Sequence, residues 1–80
     1  MKLYILSPER SIYSGEVDSV TLPGVVGLFT VRINHAPLIS TLKKGDVVFQ
    51  EADGDKSEKT VGIEGGFVEV KENVISVCAE

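Results

Sequence analysis

Asp46-Val47-Val48-Phe49-Gln50-Glu51-Ala52, then Asp53-Gly54-Asp55-Lys56-Ser57, then Thr60-Val61-Gly62-Ile63-Glu64: two β-forming runs stand on either side of a polar break. Aspartate followed by glycine supplies the left-handed backbone that a tight turn between twisted strands requires. The spacing therefore predicts a β-hairpin with its tip at residues 53–57.

Outward from this hairpin the same grammar repeats. Lys2-Leu3-Tyr4-Ile5-Leu6 is β-rich and stops at Ser7-Pro8, because proline lacks the amide donor of a sheet ladder. Residues 11–14 and 17–22 read as strand segments divided at Gly15, and the change of parity between Val17 and Val20 predicts a bulge. Gly24-Val25-Val26-Gly27 reads as a tight turn with an apolar tip, its glycines free to take positive φ. A strand at 28–31, a loop at Asn34-His35-Ala36-Pro37, a strand at 38–42 and a turn at Lys43-Lys44-Gly45-Asp46 lead into the hairpin. Phe67-Val68-Glu69-Val70 and Val74-Ile75-Ser76-Val77 close the series across Lys71-Glu72-Asn73. No segment keeps helical periodicity through three turns. Short strands separated by turn residues predict an all-β fold, a flattened sandwich or barrel. With no repeat, linker or low-complexity segment, residues 1–80 read as one domain.

Composition narrows the function. The 80 residues carry 8 Lys plus Arg against 12 Asp plus Glu, a net charge of −4. Up to Ser40 the charges cancel, and the whole acidic excess falls in the second half. Phosphate backbones call for clustered Lys and Arg, which this chain lacks, so nucleic-acid binding is not expected. No apolar run approaches the roughly 20 residues of a membrane-spanning helix, so no direct membrane insertion is expected. A small domain buries only about 60% of its unfolded surface, so residual apolar surface points to a subunit that docks on partners.

Catalytic and metal chemistry finds little footing. His35 has no second histidine and no carboxylate at a spacing that would orient its ring, so it reads as a packing or interface residue. Cys78, the single cysteine, lies in a β-run without a base and reads as a small hydrophobe. Asp53 and Asp55 lack the ligand pattern of a calcium loop, and Gly24-Val25-Val26-Gly27 lacks the Lys-Ser/Thr of a phosphate loop. Gly65-Gly66 marks close backbone approach, to a ligand or within the sheet. Lys56 at the hairpin tip is the alternative: small acidic β-sandwiches that carry lipoate or biotin present the modified lysine on such a turn.

Taken in order, the segments resemble one family. Ser7-Pro8-Glu9, Ser14-Gly15-Glu16-Val17, Val20-Thr21-Leu22-Pro23-Gly24, Gly27 and Phe29 resemble the opening half of the N-terminal β-sandwich of the F-type ATP synthase epsilon subunit. His35-Ala36-Pro37-Leu38, Leu42-Lys43-Lys44-Gly45, Gly65-Gly66-Phe67-Val68-Glu69-Val70, Asn73-Val74 and Ala79-Glu80 resemble its closing half.

The resemblance implies a flattened sandwich of about ten short strands and a non-catalytic, cofactor-free rotor subunit of a proton-transporting ATP synthase. Its partners would be the gamma subunit and the c ring, and its location peripheral, on the cytoplasmic face of the cell membrane. By the same resemblance Ser7 and His35 lie toward gamma, and Val25, Val26 and Leu28 lie toward the c ring. Family members often carry acidic residues in that turn, so apolar packing is expected here in place of an ionic contact. They usually have Pro-Gly before the histidine, where this chain has Ile33-Asn34; asparagine also tolerates left-handed φ, so the turn is expected to survive. Typical members continue into a C-terminal helical hairpin that restrains ATP hydrolysis, and the resemblance extends to the short form without it.

Overall fold

The computed structural model describes residues 1–53 and 57–80. Six strands follow one another: β1 (Lys2–Leu6), β2 (Ser11–Gly24), β3 (Gly27–Arg32), β4 (Leu38–Glu51), β5 (Glu58–Lys71) and β6 (Val74–Ala79). They form one sheet in the order β1-β6-β5-β4-β2-β3, and a further β1–β2 pairing closes it into a ring. The fold is all-β, as the turn spacing predicts. The Cα extents are 29 × 26 × 19 Å, and the short axis holds two sheet layers at the usual spacing of about 10 Å, a flattened barrel.

The strand number corrects the expectation of about ten. Gly15, Lys43–Gly45 and Gly65–Gly66 do not reverse the chain; each lies inside one 14-residue strand, so six expected segments merge into β2, β4 and β5. The β4–β5 ladder runs without a slip from Leu38↔Val70 to Gln50↔Glu58. β2 gives its first half to β1 and its second half to β3. The predicted bulge is present: between Val17 and Ser19 the register against β4 shifts by one residue.

Alternation sets the core. Leu3 and Ile5 of β1 face Ile75 and Val77 of β6 across a parallel pairing, and all four are fully buried. Val17, Val20, Leu22, Val31, Leu42, Val47, Phe49, Ile63, Val68 and Val70 complete the interior, and no buried polar or charged residue interrupts it among the described residues. Tyr13 and Phe29 pack at its margin, and Phe67 is 50% exposed. No helix long and apolar enough to cross a membrane occurs among the described residues.

Candidate docking surface

The turn between β2 and β3 carries the expected apolar tip. Gly24 pairs with Gly27, leaving Val25 and Val26 as the two turn residues, and positive φ falls on Gly27 (134°), where a β-branched side chain would be strained. The Val25 amide donates to the Thr41 carbonyl at 3.2 Å, which ties the tip to β4. Along β3, Phe29 and Val31 face inward, so Leu28 faces out. Val26 is 99% exposed, Leu28 72% and Val25 53%: these side chains do not fold back onto their own sheet.

The β3–β4 loop lies beside this tip. The His35 amide donates to the Arg32 carbonyl at 3.1 Å, and Asn34 takes φ 65°, so asparagine does fill the left-handed position. His35 Nδ1 lies 2.7 Å from the Ala36 carbonyl oxygen. A carbonyl can only accept, so Nδ1 carries a proton, and in the neutral ring Nε2 is left as the acceptor. His35, Val26, Leu28, Leu38 and Ile39 line one cavity of about 440 Å³.

Ser7 lies elsewhere. With Leu6, Pro8, Phe67 and Cys78 it lines a separate groove of about 700 Å³. Its hydroxyl is engaged locally, donating to the Arg10 carbonyl at 3.2 Å and accepting from the Arg10 amide at 3.3 Å. The structure therefore joins His35 to Val26 and Leu28 around one cavity, with Val25 beside Val26 in the turn, and sets Ser7 on a different one. Gly65-Gly66 is explained within the sheet, because a Cβ on Gly66 would collide with the Cys78 carbonyl. The hairpin-tip lysine, Lys56, lies outside the described residues.

Two surface residues escaped the sequence reading. Ile39, 74% exposed, extends the apolar area beyond Leu28, and Phe67 floors the groove beside Ser7. Parity held the clue in both cases: Val68 and Val70 are inside, so Phe67 shares the outward face with Glu69, while Leu38 and Leu42 flank Ile39 on the opposite face. One ionisable group away from this surface stands outside its usual range. The Tyr13 hydroxyl is pushed up to about 12, first by burial and then by donating at 2.7 Å to the Glu51 carboxylate, whose charge adds to the effect.

Comparison with known proteins bears on this surface. Residues 1–80 match the family described as "ATP synthase, Delta/Epsilon chain, beta-sandwich domain". The chain belongs to this family. An ATP synthase epsilon chain from Chlorobium limicola is 49% identical over 79 residues, covering 99% of this chain and 88% of that protein. One from Leptospira borgpetersenii is 42% identical over all 80 residues, and the chain spans 61% of that relative's length. In solved structures, a chain of the Euglena gracilis mitochondrial ATP synthase, determined as OSCP/F1/c-ring, superposes with a TM-score of 0.84 at 18% identity, over 96% of this chain and 48% of that one. A chain of the Tetrahymena thermophila mitochondrial enzyme, described as central stalk and c-ring, gives 0.80 at 13% identity, over 99% and 62%. At these identities the two structures establish the fold alone. The carrier alternative at Lys56 gains nothing from any of these relatives.

Proposed function

We propose that residues 1–80 act as one non-catalytic, cofactor-free domain of the central stalk in a proton-transporting F-type ATP synthase, linking the gamma subunit to the c ring. The two solved relatives, one from an assembly described with the c-ring and one described as central stalk and c-ring, support this reading. The observation that carries it is the apolar tip: Val25, Val26, Leu28 and Ile39 stand in water on an isolated chain, and their burial against a partner removes that cost. The tip serves the c ring, while His35 and Ser7 serve gamma. Because Val26 and His35 line one cavity, the two contacts adjoin there. Contact with gamma and with the polar loops of the membrane-embedded c ring lies outside the bilayer, which makes the chain peripheral on the cytoplasmic side.

The role is mechanical. A ring of hydrogen-bonded strands resists shear, and two adjoining contacts each near the standard interface size of about 1,600 Å² would oppose slip between ring and shaft. The test is a Val26→Asp, Leu28→Asp pair, read by co-purification with the c ring. Both side chains are mostly exposed and β3 lies outside the closed ring of strands, so melting should stay within about 0.5 kcal/mol of the parent. Association with the c ring should fall at least about tenfold, the loss expected for a desolvated anchor turned into a charge. Unchanged retention on the ring by this folded variant would remove the reading of the tip.

A further inference from the structure

The His35 loop is held by a residue far from it in sequence. Asn73 sits in the β5–β6 turn, where Glu72 and Asn73 take φ 51° and 61°, the two left-handed positions of a type I′ hairpin. Its backbone carbonyl accepts from the Lys2 amide at 2.9 Å, which anchors it to β1. Its side chain reaches the other way. Oδ1 accepts from the Asn34 backbone amide at 2.6 Å, and Nδ2 donates to Asn34 Oδ1 at 3.1 Å. The backbone donor fixes which end of the Asn73 amide is oxygen, so the two bonds form a reciprocal clasp with one orientation. Asn34 is otherwise exposed, at the left-handed position immediately before His35.

We propose that Asn73 is a positioning residue for the gamma contact: by clasping Asn34 it fixes the loop from which His35 presents its ring. The inference rests on the reading of His35 as a gamma-facing residue. Its physical basis is preorganisation, since a loop held in one conformation before docking does not have to be ordered during docking. The clasp supplies what Pro-Gly rigidity would otherwise give at Ile33-Asn34, and it does so from the barrel body, through a turn shared by β5 and β6 and tied to β1.

Asn73→Gly is the decisive variant, because glycine accepts the left-handed turn while deleting the clasp. Binding of purified gamma subunit to the full chain should weaken about fivefold to tenfold, the loss of two modest hydrogen bonds with the loop order they impose. The Asn34 amide should lose its protection from hydrogen exchange while the β4–β5 ladder keeps its own. In a His35→Ala background the same Asn73→Gly change should cost less than about twofold, because contacting residues couple in a double-mutant cycle. Asn34→Gly, which removes the other half of the clasp at a position where glycine is equally welcome, serves as the second variant should Asn73→Gly fold poorly. A parent chain that does not bind gamma overturns the gamma-facing reading itself. A parent that binds, beside clasp variants that bind equally well or lose the same factor without His35, overturns the role of Asn73 alone.

Discussion

Tyr13 and Glu51 show how one hydroxyl can tie the barrel margin together. The Tyr13 ring packs on Phe49 with centroids 4.4 Å apart, and its hydroxyl donates to a carboxylate that also lies 3.8 Å from the Lys59 ammonium. Raised from 10.0 to about 12, this group stays protonated in the folded chain at pH values where the unfolded chain has already ionised. The unfolded state then binds fewer protons, so the contribution is complete below pH 10 and is lost as pH rises toward 12. Tyr13→Phe should cost about 1 kcal/mol near neutral pH, the usual worth of one hydrogen bond. It should also flatten the fall in melting temperature between pH 10 and 12, with the parent measured alongside. At this scale the sequence was legible where one residue type has one use, as with Asn34 at its left-handed position. It was opaque at Asn73, whose partner stands 39 positions away, and at Tyr13, whose partner stands 38 away.

Among the elements, the β4–β5 hairpin followed from local chemistry, and so did the bulge in β2. The breaks at Gly15, Gly45 and Gly65-Gly66 misled because a glycine that bends a strand and a glycine that reverses a chain look alike to their neighbours. What separates them is a partner remote in sequence, here the Cys78 carbonyl pressed against Gly66 and the Pro23 ring 2.9 Å from where a Gly45 Cβ would sit. Gly66→Ala should therefore be severe. It places a methyl against a backbone carbonyl and holds a non-glycine residue at φ 139°, and the two penalties together should cost about 3 kcal/mol in chemical denaturation. Gly27→Ala, at φ 134° with open space around the added methyl, isolates the backbone share of that cost and should lose about 1 kcal/mol.

For the molecule as a whole, the apolar core accounts for the fold and the uncovered apolar tip for the need of company. If gamma binds only the folded chain, adding it must raise the melting temperature, by the equivalent of about 2.7 kcal/mol when its free concentration is a hundred times the dissociation constant. Thermal scans with increasing gamma subunit check this, and a melting point indifferent to saturating gamma would contradict the docking reading. The location of the tip was legible because Val25-Val26 between two glycines is an unusual turn composition. The joining of that tip to His35 around one cavity was not legible, since it depends on how β3 and the start of β4 converge in space.

The parallel pairing of β1 with β6 also governs how the chain is made. Lys2 finds Val74, and Leu6 finds Cys78, so the seam between these strands can be sewn only after residues 74–78 have been synthesised. On the ribosome β1 can pair with β2 early and the β4–β5 hairpin can follow, whereas the other edge of β1 stays open until the sixth strand has cleared the exit tunnel. Such distant pairings place maturation on the millisecond-to-second scale of other β-barrels. The nascent polypeptide is therefore vulnerable throughout the interval between the synthesis of its first strand and that of its sixth.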